Sequence, residues 1–448
     1  MSVTAAMERA LRRARCLVDD RFGVVRQVVV HEVGPCDPPL FFSTAQLAST
    51  RAMSDAAASA LNGGAGRNPA AAMLGALGEA IERYAIAIYR ESDLIRGSWR
   101  EMETTAIDPR RLIFFADEQY AWRDFPYVRF EGGTVISWVR GTSLLDGRER
   151  LVPASRVHTP YRAPRPAERL LQSTSTGAAS HVCQAEAILG GLYECIERDA
   201  VMIAWLNRLP LPSLDPSNVG RSALEATIEL LAARGLGVQL FDATSDLGVP
   251  TVLALILGAD GRVPAMAVGA ATRATIDAAA EKAVVEAAHT FFWIHTRCRE
   301  RGLPTFREDY ADVTSLDLHS LLYGDPRMRA KVAFLMGETP ARARWRNAAA
   351  RVCDPVAPEA TETELARCVA RLRTAELDAV VVDVTPRDIR DAGFVVVRVV
   401  VEDLHPLWGG HQVRCLGGRR VREVPMRLGY FDQPRAVDEL NGDPHPMP

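Results

Sequence analysis

Helix-like and strand-like segments alternate along the whole chain, which predicts a mixed α+β fold with long helices packed on mixed sheets. Three observations carry that expectation. Ala-rich segments nearly free of breakers cover 70–89, 183–207 and 277–299; strand-sized apolar runs stand at Val252–Leu257 and Phe394–Val401; and no low-complexity linker separates them. The 448 residues, 48% of them hydrophobic, can bury an ample core without metal or disulfide staples, so one large interwoven domain is favoured.

In chain order, Ala5–Val18 reads as an amphipathic opening helix and Gly23–Val33 as a strand. Asn62–Pro69 (NGGAGRNP) reads as a glycine-rich loop that feeds a helix over Ala70–Tyr89. Glu101–Leu170 is irregular and Arg-rich, with short strands near Val135–Val139 and Arg150–Val152. A polar turn at Ser173–Gly177 precedes a helix over Cys183–Asn207. A helix at Ala223–Arg234, strands at Val238–Phe241 and Thr251–Leu257, and a helix at Asp277–Arg299 follow. The last third reads as a helix at Glu362–Leu372 and strands at Asp378–Val384 and Val395–Val401. Pro444, Pro446 and Pro448 in the closing DPHPMP can neither continue a helix nor donate ladder hydrogen bonds. The chain thus divides into an integral N-terminal helix-and-strand region (1–60), a main domain (61–430) and a Pro-rich tail (431–448).

A formal net charge of −3 argues against a generic nucleic-acid backbone binder. Basic side chains are nearly all arginine, with Lys282 and Lys331 the two lysines. The first 23 residues lack the apolar centre of a secretory signal, and no apolar run is long enough to span a bilayer. Eight cysteines, Cys353 among them, form no CxxC pair. A soluble, reducing, cytoplasmic setting without a membrane partner is expected.

Two of the helices carry nearly the same heptapeptide, Glu79-Ala-Ile-Glu82-Arg83-Tyr-Ala and Glu194-Cys-Ile-Glu197-Arg198-Asp-Ala. The two Glu and the Arg fall at i, i+3 and i+4 on one helix face. Glu186, eleven residues before Glu197, lies about 20° away at roughly 100° per residue and joins the second stripe. A third helix offers Lys282, Glu286 and His289 at i, i+4 and i+7. A single ExxER is ordinarily a solvated ion-pair face, but a repeated one in otherwise apolar helices is hard to obtain from surface decoration. Facing carboxylates suit Mg²⁺, a hard ion that completes its shell with phosphates, and the neighbouring Arg and Lys would neutralise phosphate oxygens. The implied chemistry is nucleoside triphosphate use. No GxxxxGK[ST], Rossmann fingerprint or kinase set offers an alternative site. His289, beside Phe291, Phe292 and Trp293, reads as a core or supporting histidine, and Cys183 and Cys195 as small buried residues.

At LGEAIERYA (77–85), STSTGAASHVCQAEAILGGLYECIERDA (173–200), MAVGAATRATIDAAAEKAVVEAAH (266–289) and VVVRVVVEDLHPL (395–407) the chain resembles the YcaO family. WVRGTSLLDGRERLVPA (138–154) resembles that family's central segment, and the terminal PHPMP the PxPxP ending of its azoline-forming cyclodehydratases. The resemblance implies a YcaO-type ATP-binding fold, with ATP and Mg²⁺ as cofactors. It implies ATP-dependent cyclodehydration of Cys, Ser or Thr in a ribosomally made precursor peptide, through phosphorylation of the preceding amide oxygen.

Carried over by motif, Glu79, Glu82, Glu186, Glu194 and Glu197 would be the metal-binding or ATP-orienting carboxylates. Arg67, Arg83, Thr176, Arg198, Lys282 and His289 would contact the nucleotide. Pro444, Pro446 and Pro448 would bring the tail into the active site, the Pro448 carboxylate assisting proton transfer. Gly75, Thr176, Cys183 and His289 depart from the family's usual Ser, Asn, Ser and Gln. The resemblance also implies a separate E1-like or ThiF-like partner that grips the leader peptide, and a homodimer. Thioamide or amidine formation on the same fold, or a non-catalytic scaffold, are the competing functions.

Overall fold

The computed structural model describes residues 3–53, 58–216, 222–338 and 361–448; Cys353 lies outside them. Helix α1 (Val3–Arg15) leads to strands β1 (Val25–Val30), β2 (Phe41–Leu47) and β3 (Leu61–Gly66), then to α2 (Pro69–Ala87). Strands β4 (Ile95–Ser98), β5 (Val135–Ser143), β6 (Glu149–Pro153) and β7 (Ala178–His181) precede α3 (Gln184–Leu206). Next come β8 (Ser213–Leu214), α4 (Ser222–Ala232), β9 (Gly237–Asp242), β10 (Thr251–Leu257), β11 (Met266–Thr272) and α5 (Ile276–Arg301). The last third contributes α6 (Thr361–Thr374), β12 (Ala379–Asp383), β13 (Val395–Val401) and α7 (Arg419–Arg427). The strands form three antiparallel sheets, ordered β1-β2-β3, β4-β5-β12-β13-β7 with β6 on β5, and β11-β10-β9-β8. This is the mixed α+β fold with long helices on sheets that the alternation predicts. Among the described residues no helix is long and apolar enough to cross a membrane.

The expected loop at Asn62–Pro69 is instead β3, paired residue by residue with β2 from Phe41–Gly66 to Gln46–Leu61. Its glycines carry no side chains to signal a strand. They serve close approach: a Cβ on Gly64 would lie 2.2 Å from the Ala72 carbonyl oxygen and 2.3 Å from the Ala76 amide of α2. The turn into α2 is short because Asn68 caps it, accepting the Ala71 N–H at 2.8 Å, with Pro69 opening the helix. Gly269 of β11 repeats the device, its virtual Cβ 2.2 Å from the Ala287 amide of α5.

Each long helix touches two sheets. Helix α2 packs on β2, β3 and β7, α3 on β7, β13 and β11, and α5 on β11, β10 and β3. The three sheets are therefore linked pairwise by α2, α3 and α5, and the polar faces of these helices turn toward one shared space. The cores reflect this: Ala76, Leu77, Ala80 and Ile81 of α2 pack with Ala45 and Leu47 of β2, whereas Phe291 and Phe292 of α5 pack with Phe42.

The proline-alternating tail is folded into the structure. The Asn441 N–H donates to the Leu206 carbonyl at the end of α3 (2.7 Å), and Trp205 Nε1 donates to the Asp443 carbonyl (3.2 Å). His445 is fully buried, stacks on His319 at 3.9 Å, and donates from Nε2 to the Trp408 carbonyl at 2.8 Å. Met447 is buried as well, whereas Pro448 is exposed.

The Gly64 contact yields a test. Gly64→Ala forces the β3–α2 seam apart and is expected to cost about 1–3 kcal/mol in denaturant unfolding. Gly133→Ala, where nothing lies within 4 Å of the added carbon, is expected to be nearly neutral. Equal stability of the two variants would contradict the packing described.

Candidate active site

Carboxylates of α2 and α3 are fixed by backbone amides of neighbouring strands. Glu79 accepts the Gly63 N–H of β3 at 2.7 Å and pairs with Arg83 at 3.1 Å. Glu82, one turn further on, accepts the Ser180 N–H of β7 at 2.8 Å. Glu194 on α3 accepts the Gly177 N–H at 2.9 Å and lies 3.6 Å from Arg198, while Glu197 pairs with Arg198 at 3.1 Å. From α5, Lys282 pairs with Glu286. His289 stacks beside Phe42 at 6.1 Å and leaves no room for a side chain on Gly63.

These groups act on one another across the shared space. Burial pushes the Glu82 carboxyl up to about 8, with Glu194 and Glu79 adding to the rise and Ser180 and Arg83 opposing it. Burial raises Glu197 to about 7, with Glu194 and Glu286 reinforcing it against Arg198 and Arg273. Glu286 is only half-buried, and Lys282, His289 and Arg273 outweigh its desolvation and hold it at about 2. Burial keeps His289 below the usual histidine range despite Glu286 and Glu79, so it is a neutral supporting side chain. Arg198 has a buried Nε without a partner.

Two of the residues expected at the site stand apart. Glu186, in the first turn of α3, is exposed and accepts a hydrogen bond from Thr361. Arg67 is exposed and faces Glu281 of α5 at 3.7 Å. Thr176 lines a pocket beside Gly177. Cys195 is buried as expected, but Cys183 caps α3 in the open, because the helix begins one residue after it. The tail reaches the electrostatic surroundings of the site, since Arg198 acts on His445. Asp199, next in the second motif, is structural: it forms a buried two-pronged pair with Arg420 of α7, the closest contact 2.8 Å.

Glu286 belongs to the cluster, and its spacing from Lys282 was the available signal. Arg273, just after β11, and the amides of Gly63, Gly177 and Ser180 had none, because they join the site through sheet pairing.

The sequence profile described as YcaO cyclodehydratase, ATP- and Mg²⁺-binding, matches residues 63–405. The chain belongs to the YcaO family. ATP and Mg²⁺ are the cofactors of that family. An uncharacterized protein of Methanothermobacter thermautotrophicus is 28% identical over 269 residues, 60% of this chain and 65% of its own. The chain spans less than two thirds of the length of the curated relatives it matches. Among solved structures, a heterocyclase in complex with substrate and cofactor aligns with a TM-score of 0.81 at 23% identity, over 99% of this chain and 57% of that one. YcaO from Methanopyrus kandleri, bound with AMPPCP and Mg²⁺, aligns with a TM-score of 0.62 at 20% identity, over 89% of this chain and 91% of that one. These likenesses fix the YcaO fold.

The donor set fits the family's cofactors. Glu82, half-buried, and Glu197, buried, are carboxylates short of positive charge, which a divalent cation with oxygen preference would supply. Among the described residues no three His, Cys, Asp or Glu side chains converge tightly enough to hold a metal by themselves. Mg²⁺ commonly binds through one or two carboxylates and takes its remaining ligands from phosphate and water.

A carboxyl raised by folding keeps a proton that the unfolded chain has released. Stability therefore falls as pH rises from the ordinary 4.5 through about 7 for Glu197 and about 8 for Glu82. Glu286 acts oppositely, its contribution being lost only as pH falls below 4.5 toward about 2. In chelator, the melting temperature is expected to drop between about pH 5.5 and about pH 8, and Glu82→Gln to flatten that drop. A variant with the wild-type slope would remove Glu82 as the titrating group.

Proposed function

We propose that this chain is an ATP-dependent peptide cyclodehydratase that converts Cys, Ser or Thr of a ribosomally made precursor to thiazolines or oxazolines. The observation that carries the reading is the convergence of two ExxER stripes and the Lys282–Glu286 pair on one space, in a YcaO chain. ATP would supply the phosphoryl group that turns the amide oxygen, a very poor leaving group, into phosphate. The substrate side chain attacks the preceding carbonyl carbon, the carbonyl oxygen departs as phosphate, and the ring gains its C=N bond with net loss of one water.

In this reading Glu79, Glu82, Glu194 and Glu197 hold Mg²⁺ or orient the nucleotide through it, whereas Glu186 and Arg67 act from the rim. Arg83, Arg198 and Lys282 neutralise phosphate oxygens, and the free Nε of Arg198 is a donor in reserve for one. Thr176 and His289 shape the walls. Pro444 and Pro446 seat the tail, so that Pro448, exposed beyond the buried His445 and Met447, is presented to the reacting groups. A separate E1-like or ThiF-like protein delivers the leader peptide, and the enzyme works as a homodimer in the cytoplasm.

The deciding measurement is the intact mass of a cognate precursor incubated with the chain, its partner, Mg²⁺ and ATP. Loss of one water per modified residue, with matching ADP and phosphate, is expected. An oxygen-to-sulfur change in the presence of sulfide would move the reading to thioamidation. No mass change and no ATP consumption, with an active partner, would leave a scaffold.

Glu197→Gln is expected to lower ATP turnover by roughly a hundredfold or more while the chain stays folded. Deleting Pro448 alone is expected to abolish cyclisation and leave nucleotide binding in place, because that residue adds little to the core. Full-rate cyclisation without it would end the role given to the tail.

A further inference from the structure

We infer that Trp205, His319, Tyr323 and Lys331 form a groove that reads the closing segment from Asp443 to Met447, and that they are positioning residues for Pro448. Proline at 444, 446 and 448 removes every second N–H of that segment and leaves its carbonyls, so a partner must supply donors. Three consecutive carbonyls each receive one. Trp205 Nε1 donates to the Asp443 carbonyl at 3.2 Å, the Tyr323 hydroxyl to the Pro444 carbonyl, and His319 Nδ1 to the His445 carbonyl at 2.9 Å. Aromatic side chains are the usual walls of grooves that take proline-rich strands, and the fixed φ of proline lowers the cost of ordering them.

The side chains of the tail are read as well. Asp443 lies 2.8 Å from Lys331 Nζ and 3.4 Å from Arg208 Nη2. The His445 ring stacks on His319 with 6° between their planes and meets Trp408 edge-on at 4.9 Å. Burial lowers both imidazoles, so at neutral pH the stack joins two neutral rings. Met447 closes the segment at 1% exposure. Arg208 ends α3 in a left-handed conformation, φ 48°, and its Nε donates to Asn441 Oδ1 at 3.1 Å. From there the tail runs back along α3: Asn441 meets Leu206, Asp443 meets Trp205, and His445 comes within electrostatic reach of Arg198. The helix that carries the second ExxER stripe thus also holds the tail. The consequence for cyclisation rests on the function proposed above; the groove itself does not.

The test is peroxide oxidation of the full chain, followed methionine by methionine by mass spectrometry. Met447 is expected to oxidise about tenfold or more slowly than the exposed Met336. Tyr323→Phe and His319→Phe keep a ring in place but remove one donor each, and are expected to speed Met447 oxidation about fivefold. Lys331→Met and Asp443→Asn are expected to speed it about threefold, with Lys331→Arg near the wild type. Met266, buried in β11, is expected to stay protected throughout. If the ring variants fail to fold, Lys331→Met and Asp443→Asn decide. With a cognate precursor, the cyclisation rate is expected to fall in step with Met447 protection, while AMPPCP affinity stays within about twofold. Met447 oxidising as fast as Met336, oxidation indifferent to Lys331→Met and Asp443→Asn, or Met266 becoming reactive along with Met447 in those two variants overturns the proposal. A loosened tail with full-rate cyclisation would uphold the groove and remove Pro448 from the reaction instead.

Discussion

Three helix carboxylates each accept a backbone N–H from a different point of the sheets, and the site depends on those hydrogen bonds. Gly63 holds Glu79, Ser180 holds Glu82 and Gly177 holds Glu194. A carboxylate that accepts a fixed amide cannot swing out to water, so the charges stay inside an otherwise apolar assembly. The amides are fixed in turn because β3 and β7 are held by ladders. Side-chain positions in the site therefore inherit the precision of sheet pairing rather than of loops.

The resulting charge balance is deliberately incomplete. Glu286 is fully compensated by the basic groups around it, while Glu82 and Glu197 are not. A site that carries unneutralised buried carboxylates beside an unpartnered guanidinium nitrogen is poor in isolation and improves with a cation and an anion together. Magnesium triphosphate has that paired character.

Much of this was legible in the residues themselves. The helices announce themselves by composition, and the repeated ExxER marks the faces that meet. Thr251–Leu257 and Val395–Val401 are strands at the predicted bounds because β-branched and aliphatic runs of that length have few other uses. What failed was everything whose signal lies across the chain. The glycines of β3 look like a loop because a strand without side chains has no alternation to read. The strand β7 escaped because its four residues are unremarkable until they pair with β13. Glu186 shares the periodicity of its helix, but periodicity cannot say that the first turn of α3 protrudes beyond the packed region. The buried tail likewise has no local pattern; its order comes from ring stacking and from the end of α3.

The pairing of β7 with β13 also sets a sequence of events during folding. Residues 178–181 and 395–398 are far apart along the chain, and closing so long a loop is slow. Both glutamate motifs are made before residue 200, yet the strand that orients Glu82 has its ladder partner only after residue 395 has been synthesised. The emerging chain would thus carry all the acidic side chains long before it could arrange them. The ordered acidic cluster therefore arrives late and all at once.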